Sequence, residues 1–208
     1  MKQKPLFVTF EGCEGSGKST QTRILTKWLK DNNIDTFYTR EPGGTPASEA
    51  LRSVLLNETI PLQKKSELLL HTCARLEHVT NIIQPQLDEN RIVLCDRYLD
   101  STRAYQGYGN GIDVSIIDNL HDMIIGDVNP DLTIILNIDV NTLRERISRR
   151  KIKHDRYENK DNNYHEKVAR GYVEIAKNYP ERCLLIDATQ SIDEIQQIIR
   201  NKFKELLV

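Results

Sequence analysis

The chain has 208 residues, 38% hydrophobic and 28% charged, a composition typical of folded globular proteins and unlike that of disordered ones. Its net charge of −1 lacks the basic excess of a duplex-binding protein, so we expect no nucleic acid partner. No apolar run approaches the roughly 18 residues that span a bilayer, and Leu6–Phe10 is shorter than the core of a signal peptide, so we expect a cytoplasmic protein without membrane contact.

Short apolar runs alternate along the chain with longer segments whose apolar residues recur at helical spacing. The predicted strands are Leu6–Glu11, Thr36–Thr39, Ile92–Cys95, Leu132–Ile138 and Leu184–Ile186. The predicted helices are Lys18–Lys30, Ser48–Leu56, Ser66–Leu87, Val114–Ile125, Thr142–Arg150, Tyr164–Asn178 and Ile192–Leu207. Continuous apolar strands separated by helices indicate a parallel sheet covered on both faces. We therefore predict a single α/β domain over residues 1–208, a three-layer sandwich around a five-stranded parallel sheet.

The four cysteines, Cys13, Cys73, Cys95 and Cys183, are far apart and form no CxxC pair. We interpret them as reduced thiols that pack as small apolar side chains, rather than as zinc ligands or disulfide partners. Reduced thiols are a second reason to expect a cytoplasmic protein.

The first predicted strand runs into a glycine-rich loop, Gly12–Ser19, that matches GxxxxGK[ST]. It lies between a strand and a helix, as this phosphate-binding motif requires. Its backbone N–H groups and the helix N-terminus are suited to phosphate oxygens, Lys18 to the β- and γ-phosphates, and the Ser19 hydroxyl to Mg²⁺. The residues predicted to bind ATP are Gly12, Cys13, Glu14, Gly15, Ser16, Gly17, Lys18, Ser19 and Thr20.

The loop does not identify what receives the phosphate, and three classes of protein are open at this point. A GTPase switch would carry an NKxD sequence, which the chain lacks. A motor ATPase usually has a longer chain and an apolar strand that ends in paired acidic residues. A kinase for a small metabolite needs a second anion site and a mobile cover, and the remaining sequence bears on this class.

Arginines lie near the predicted carboxyl ends of strands, where parallel sheets bind ligands. Arg97 follows Asp96 directly after a strand, while Arg52 and Arg75 lie in neighbouring helices. The phosphate of a nucleoside monophosphate is mostly a dianion at pH 7 and is already a nucleophile. Its transfer chemistry therefore needs positive charge and positioning rather than a general base, and the three arginines predict such an anion site.

The segment Leu94–Gln106 resembles the signature of thymidylate kinases. Further similarities lie at Arg40–Thr45, Ala74-Arg75, Pro130–Thr133, Asp155–Glu158 and Ile186–Ala188, so the resemblance covers nearly the whole chain in order. Glu14 in the phosphate loop and a basic lid resemble the bacterial type. The resemblance implies a P-loop kinase fold, a homodimer with helices of the first half at its interface, and transfer of the γ-phosphoryl group of ATP to dTMP. The products would be dTDP and ADP, a step of dTTP synthesis for DNA replication. The alternatives are another nucleoside monophosphate or small-metabolite kinase, or a P-loop switch.

The resemblance also implies roles for individual residues. Arg97 and Arg52 would hold the dTMP phosphate, and Arg75 would bind a thymine carbonyl. Thr102 and Gln106 would lie along the edge of the base. The full set implied for dTMP is Glu41, Arg52, His71, Arg75, Arg97, Ser101, Thr102, Tyr105 and Gln106.

The remaining implied roles concern the sugar, the metal and the orientation of the arginines. Tyr105 would crowd the ribose 2′ position and favour a deoxy sugar. Glu41 would contact the phosphate-site arginines or metal-bound water, and Glu14 would lie near the acceptor sugar and Mg²⁺. Ser19 and Asp96 would hold Mg²⁺, directly or through water. A carboxylate beside an arginine fork fixes its direction, which makes these roles physically reasonable.

One residue departs from the family pattern. The position at which the family usually stacks a phenylalanine on thymine is His71 in this chain. An imidazole can also stack, and at its ordinary pKa of about 6.5 it can carry a charge near neutral pH. We therefore expect a different base affinity, or a different pH dependence of base binding.

Residues 144–156 hold seven basic and two acidic side chains in a chain of net charge −1. They follow a strand and interrupt two helices, as a closing flap would, and we place a mobile basic lid at about residues 149–163. The phosphate loop has no arginine at positions 13–16, so the transferred phosphoryl group needs a cation from elsewhere. Arg149 or Arg150 is predicted to supply it, with Arg156 in support. The predicted catalytic set is Lys18, Arg97, Arg149, Arg150, Asp96 and Glu14.

Overall fold

A computed structural model describes residues 4–148 and 156–207. Its strands are β1 (Leu6–Glu11), β2 (Thr36–Arg40), β3 (Ile92–Asp96), β4 (Leu132–Asn137) and β5 (Cys183–Asp187). Its α-helices are α1 (Lys18–Asp31), α2 (Pro46–Leu56), α3 (Lys64–His78), α4 (Gln84–Asp88), α5 (Leu99–Thr102), α6 (Val114–Ile124), α7 (Val140–Ser148), α8 (Asn162–Asn178) and α9 (Ile192–Leu206). Two π-helical segments, Val79–Ile83 and Arg103–Gly109, continue α3 and α5.

The five strands form one parallel sheet in the order β2-β3-β1-β4-β5, with β1 in the centre. This confirms the predicted five-stranded parallel sheet with helices on its faces. Near the carboxyl ends of β1 and β3, Phe10 pairs in register with Asp96. The loops that follow these two strands therefore open at the same edge of the sheet, where ligands of parallel sheets bind.

Side chains of β1 alternate between two buried layers, one on each face of the sheet. Val8 and Phe10 pack in one cluster with Leu25 of α1. Phe7 belongs to a second cluster with Tyr98, and their ring centroids are 4.9 Å apart in an edge-to-face arrangement. Burial on both faces explains why the strand is a continuous apolar run rather than an alternating one.

The helix predicted over Ser66–Leu87 is present but not regular. It begins earlier, at Lys64, and a π-helical segment, Val79–Ile83, separates α3 from α4. Pro85 lies in the first turn of α4 and has no N–H group, so the usual bond to the carbonyl four residues before it cannot form. A wider turn just before the proline accommodates this loss.

The helical stretch Leu99–Gly109 was not predicted. Its side chains are buried nearly all round, including polar ones such as Arg103 and Gln106. A helix without a polar face shows no amphipathic period, so the pattern that reveals surface helices is absent from this segment.

The packing predicted for the cysteines is only partly correct. All four are free thiols, and Cys13 and Cys95 are buried as predicted. Cys73 is exposed on the outer face of α3, so the prediction that it packs in an apolar interior is wrong. Within the described ranges, no helix combines the length and apolarity needed to cross a bilayer.

Candidate active site

The loop between β1 and α1 is held tightly against the sheet. Gly12 has φ +134°, and a Cβ atom there would lie 2.5 Å from the carbonyl oxygen of Leu136 on β4. No larger residue fits this position without a shift of backbone. Gly17, with φ +99°, precedes α1 and provides no side-chain cap for the first N–H groups of the helix. The N–H groups of Thr20 and Gln21 donate to the Gly17 carbonyl, so the groups suited to an anion are those of Lys18 and Ser19.

Lys18 begins α1, and its ammonium group folds back onto the loop. Its Nζ atom donates to the carbonyl oxygens of Gly12 and Cys13, each at 2.9 Å. Burial, followed by the charge of Arg97, lowers the pKa of Lys18 to about 8, which leaves it mostly protonated at pH 7. The Ser16 hydroxyl oxygen is buried and has no hydrogen-bond partner in the described part of the chain. The loop thus offers a ligand one cation and one unused hydroxyl.

Ser19 and Asp96 join α1 to the carboxyl end of β3. The Ser19 hydroxyl donates to Oδ2 of Asp96 over 2.8 Å. Both residues line the same cavity as Lys18. Hydroxyl and carboxylate oxygens are the hard ligands that Mg²⁺ prefers. The two predicted metal-binding residues therefore lie beside each other and beside the phosphate loop.

Glu14 and Arg97 connect the phosphate loop to the turn after β3. Oε1 of Glu14 lies 2.8 Å from Nη2 of Arg97, and the Tyr105 hydroxyl donates to Oε2 of Glu14 over 2.6 Å. Burial raises the pKa of Glu14, but the charges of Arg97 and then Lys18 outweigh it, and the pKa lies below its ordinary value. Glu14 is therefore a carboxylate at neutral pH, set between two cations.

Arg97 has an unusual backbone as well as a crowded side chain. Its φ of +72° lies in the left-handed region, which a residue with a Cβ atom seldom adopts. Its Nη1 atom donates to the Gly12 carbonyl at 3.1 Å, to the Ser101 hydroxyl at 3.0 Å and to the Tyr172 hydroxyl at 3.2 Å. The guanidinium also lies over the ring of Tyr105, 5.1 Å from its centroid. Its position is thus determined from several sides.

A second arginine group lies on the side of α3. Nε of Arg75 donates to Glu41 Oε2 at 2.9 Å, and Nη2 donates to the Thr102 hydroxyl at 2.9 Å. The other oxygen of Glu41 lies 3.1 Å from Nδ1 of His78, whose Nε2 lies 2.6 Å from the Thr39 hydroxyl. The resemblance implied that Glu41 contacts the phosphate-site arginines, Arg97 and Arg52, or metal-bound water, and the structure pairs its carboxylate with Arg75. Within the described ranges, the side chains that its two oxygens contact are Arg75 and His78.

Arg52 reaches the same region from α2. Its Nη1 atom donates to the carbonyl oxygen of Pro42 at 2.9 Å, and the Glu41-Pro42 peptide bond is cis. Arg52 and Arg97 both line the cavity. Two guanidinium groups that border one space are suited to a phosphate dianion, because their donors match its oxygens bidentately.

His71 forms one wall with Tyr157, which lies in the chain before α8. His71 Nε2 is 2.8 Å from the Tyr157 hydroxyl, which also donates to Glu67 Oε1 at 3.2 Å. Gln106 donates its side-chain amide to the same oxygen of Glu67 at 2.7 Å. Burial, followed by the charge of Arg75, lowers the pKa of His71 to about 3. The desolvated ring lies close to an arginine and stays neutral at pH 7, so of the two expectations for His71 the site favours a different base affinity over a different pH dependence.

One cavity of about 320 Å³ connects these groups. It extends from the phosphate loop, past Asp96 and Arg97, to Arg75 and His71. The predicted site residues that line it are Glu14, Gly15, Gly17, Lys18, Ser19, Thr20, Glu41, Arg52, His71, Arg75, Asp96, Arg97, Ser101, Thr102, Tyr105 and Gln106. Gly12, Cys13 and Ser16 belong to the phosphate loop but are not among its lining residues. The structure thus places a triphosphate motif and a group of arginines around one space.

Comparison with known proteins identifies the family. The profile of the family described as thymidylate kinase matches residues 10–199. The thymidylate kinase of Kosmotoga olearia is 39% identical to this chain, and the match covers 95% of each of the two chains. The thymidylate kinase of Finegoldia magna is 42% identical, and the match covers 91% of this chain and 93% of the relative. The crystal structure of thymidylate kinase from Ehrlichia chaffeensis matches with a TM-score of 0.79 at 37% identity, covering 96% of this chain and 98% of the other. The chain belongs to the thymidylate kinase family.

Membership of the thymidylate kinase family confirms the resemblance seen in the motifs and the fold that it implied. The family comprises ATP-dependent nucleoside monophosphate kinases, so the chain is a transferase of this class. The alternative of a P-loop switch without a second substrate is not favoured.

Several side chains of the site were not identified from the sequence. Tyr157 and Tyr38 line the cavity, and Tyr172 contacts Arg97 from α8. Arg146 of α7 donates to the carbonyl oxygens of Gly15 at 3.4 Å and Ala188 at 2.9 Å, which brings another cation beside the phosphate loop. Tyr157 lies within the family motif Asp155–Glu158, so that similarity was the signal that could have pointed to it.

The lid residues predicted to act on the phosphoryl group, Arg149 and Arg150, lie outside the described residues. Arg156 is described, and its Nη2 atom donates to the carbonyl oxygens of Asn57 and Ile60, each at 2.6 Å. Its guanidinium therefore binds the chain after α2, and it is not among the residues that line the cavity. The prediction that Arg156 supports phosphoryl transfer would place its guanidinium at the cavity, whereas the structure places it against the chain after α2.

Proposed function

We propose that this protein transfers the γ-phosphoryl group of ATP to dTMP, giving dTDP and ADP. The observation that carries the proposal is the single cavity that joins the phosphate loop to Arg97, Arg52 and Arg75. A triphosphate motif alone would fit many nucleotide-binding proteins. The adjoining arginines add a second anion site within the same space, as a transfer between two phosphates requires.

At the donor end, the loop Gly12–Ser19 would hold the phosphates of ATP. Backbone N–H groups of the loop and of the first turn of α1 would bind phosphate oxygens. Lys18 would exchange its bonds to the Gly12 and Cys13 carbonyls for the β- and γ-phosphates. The Ser16 hydroxyl, unpaired in the described structure, is a further donor for a phosphate oxygen.

The residues at the junction of the two ends fit Mg²⁺. The ion is typically bound by one or two carboxylates, phosphate oxygens and several waters, and the adjacent oxygens of Ser19 and Asp96 supply such ligands. When bound, Mg²⁺ would neutralise charge that develops on the phosphates. Glu14 lies near this junction, where its carboxylate orients Arg97.

At the acceptor end, Arg97 and Arg52 would bind the dTMP phosphate, with Ser101 beside Arg97. Arg75, Thr102 and Gln106 would face the base. The bond from Arg75 to Glu41 fixes the guanidinium, so its remaining donors have a set direction. Tyr105 would lie against the sugar, where its hydroxyl is already held by Glu14.

The chemistry requires charge neutralisation rather than proton removal. The dTMP phosphate is mostly a dianion at pH 7 and attacks as it is. Two unit charges 4 Å apart repel by about 4 kcal/mol at an effective dielectric constant near 20, and several such pairs must be overcome. Arg97, Lys18 and a lid arginine, Arg149 or Arg150, would offset this repulsion. A lid at residues 149–163 would also exclude water, which otherwise competes as acceptor.

We further propose a cytoplasmic homodimer built from one domain per chain. On α3, Leu69 and Leu76 are 56% and 38% exposed, and Cys73 lies between them on the same helical face. An apolar stripe of this kind is suited to a second copy of the chain. Light scattering should give twice the mass of the chain, and Leu69→Glu should give the mass of one. The free thiols fit a reducing compartment.

A screen of nucleoside monophosphates tests the main proposal. ADP release with Mg·ATP is measured for dTMP, dUMP, dCMP and AMP, and dTMP should give the highest kcat/KM. Faster turnover of any of the other three would contradict the substrate assignment. If no monophosphate is turned over or bound at equilibrium, the second substrate site itself is wrong.

A further inference from the structure

Glu11, the last residue of β1, is a buried carboxylate that is not among the residues lining the cavity. Its side chain is fully buried. Oε1 accepts the backbone N–H of Tyr98 at 2.7 Å, and Oε2 accepts the hydroxyls of Ser101 at 2.6 Å and Tyr172 at 3.3 Å. Its hydrogen-bond donors are thus one amide and two hydroxyls, and all three come from elements that surround Arg97.

The two hydroxyls connect Glu11 to Arg97. Nη1 of Arg97 donates to both the Ser101 hydroxyl and the Tyr172 hydroxyl. An ionised carboxylate only accepts hydrogen bonds, so the Ser101 proton points towards Glu11, and the Tyr172 proton points towards Glu11 or towards the Ser101 oxygen, 3.0 Å away. Their oxygen lone pairs are then directed at Arg97, which can only donate. The carboxylate therefore fixes the polarity of the two groups that hold the guanidinium.

Glu11 also holds the backbone of the same arginine. Arg97 has φ +72°, a conformation that is costly for a residue with a side chain. The peptide on its carboxyl side is fixed by the bond from the Tyr98 N–H to Glu11, and its own N–H donates to the Phe10 carbonyl at 2.9 Å. The end of β1 thus determines both the turn and the side-chain direction of Arg97.

We propose that Glu11 is a positioning residue for the acceptor phosphate, acting through Ser101, Tyr172 and the Tyr98 amide to aim Arg97. This inference rests on the proposed function, because it takes Arg97 to bind the phosphate of dTMP. It adds a residue that touches neither substrate and that lies just before the phosphate loop. The donor and acceptor ends of the site would then be set by the same strand.

The Glu11→Gln variant tests this role with little change of shape. Its amide oxygen can still accept from Tyr98, but its NH₂ group faces Ser101 and donates. The Ser101 hydroxyl must then accept from Gln, in competition with Arg97. We expect the KM for dTMP to rise about tenfold to a hundredfold, the size of one hydrogen bond to a charged group, while the KM for ATP is unchanged.

Conditions and controls separate positioning from simple structural loss. Burial, followed by the charge of Asp100, raises the pKa of Glu11 to about 7, so kinetics belong at about pH 8.5, where the carboxylate is ionised. Asp100→Asn is a matched control, because Asp100 is equally buried but pairs with Arg103 and Arg182. It should lower Tm and leave the KM for dTMP as in the unmodified protein. An unchanged KM in Glu11→Gln, or an equal rise in Asp100→Asn, would overturn the proposal.

A second variant decides the matter if Glu11→Gln does not fold. Ser101→Ala removes the shared hydroxyl but leaves the bond from Tyr98 to Glu11 in place. It should raise the KM for dTMP to a similar extent, and adding Glu11→Gln to it should cause a much smaller further rise. Additive effects would show that Glu11 does not act through Ser101. If the unmodified protein turns over dTMP but neither variant changes the KM for dTMP, the positioning role of Glu11 is refuted and the proposed function stands. If the unmodified protein does not turn over dTMP at all, the proposed function itself is refuted.

Discussion

The Nε2 atom of His71 lies 2.8 Å from the Tyr157 hydroxyl, which joins α3 to the segment that precedes α8. Tyr157 donates onward to Glu67, an acceptor that also binds Gln106. Because Tyr157 gives its only proton to Glu67, its oxygen accepts from Nε2–H of His71. The ring is thus fixed as one neutral tautomer at the end of the cavity where the base is proposed to bind.

Because His71 is neutral, we predict that its ionisation does not contribute to the pH dependence of dTMP binding near pH 7. Its pKa of about 3 means that the folded protein keeps the ring neutral down to strongly acidic pH. The KM for dTMP, measured from pH 6 to 8, should follow the same curve in the unmodified protein and in His71→Phe. The phosphate of dTMP ionises near pH 6, and this affects the KM of both proteins equally, so it does not alter the comparison between them. An inflection that only the unmodified protein shows would contradict the prediction.

The same shift has a consequence for stability. The unfolded chain binds a proton at His71 below about pH 6.5, while the folded chain does not until about pH 3. Stability is therefore lost as pH falls between these values, at up to about 1.4 kcal/mol per pH unit for one such group. His71→Phe should lose less stability over this range, measured by denaturant unfolding at several pH values. His121, buried and with its pKa also lowered to about 3, adds an equal background to both proteins.

Arg97 and Lys18 should fail in different ways. Lys18→Ala should abolish turnover, because the loop loses the positive charge that would bind the β- and γ-phosphates. Arg97→Ala should also abolish turnover under ordinary conditions, chiefly through lost affinity for dTMP. Equilibrium binding of each nucleotide distinguishes the two, with Arg97→Lys as a control that keeps the charge but not the fork. Normal dTMP affinity in Arg97→Ala would contradict its assignment to the acceptor phosphate.

Asp100 is expected to be structural. It is buried between Arg182 and Arg103, with contacts of 2.6 and 2.7 Å, and its pKa lies below the ordinary value because these charges outweigh the effect of burial. Asp100→Asn removes the carboxylate that Arg182 binds and leaves Arg103 with Asp118 alone, which should cost about 3–5 kcal/mol. For a chain of this size, that is roughly 6–20 °C in Tm.

Asp118 supplies the matched comparison. It binds the same Arg103 at 2.7 Å, but its side chain is 29% exposed. Asp118→Asn should therefore cost less than about 1 kcal/mol, as is usual for ion pairs in contact with water. Equal losses of Tm in the two variants would contradict the view that burial makes Asp100 critical.

The parts of this molecule that could be predicted from sequence are those encoded locally. The loop Gly12–Ser19 is contiguous, and β1 is mostly apolar because both of its faces are covered. The bonds that complete the site connect distant residues. Tyr172 contacts Glu11, which lies 161 positions away in the sequence, and Tyr157 contacts His71, 86 positions away. No local sequence pattern predicts contacts between residues so far apart.

The charge states of side chains in the site could not be predicted from the sequence either. The type of residue at position 71 suggests an ordinary imidazole, but burial and the nearby Arg75 determine its actual protonation. Glu41 was expected near the phosphate arginines, and the structure pairs it instead with Arg75 and His78. Both outcomes depend on which side chains share a desolvated space, and that follows from packing rather than from spacing along the chain.

The two lid arginines should have unequal effects. Arg149→Ala and Arg150→Ala each remove one cation from the basic segment, but only one of them is expected to reach the transferred phosphoryl group. That variant should lower kcat by about 10³-fold or more with little change in KM, because the contact forms only in the transition state. Arg144→Ala, at an exposed position on α7, is the control and should leave kcat unchanged. Near-normal kcat in both Arg149→Ala and Arg150→Ala would transfer the role to another cation, and Arg146, which already contacts the phosphate loop, would be the next to test.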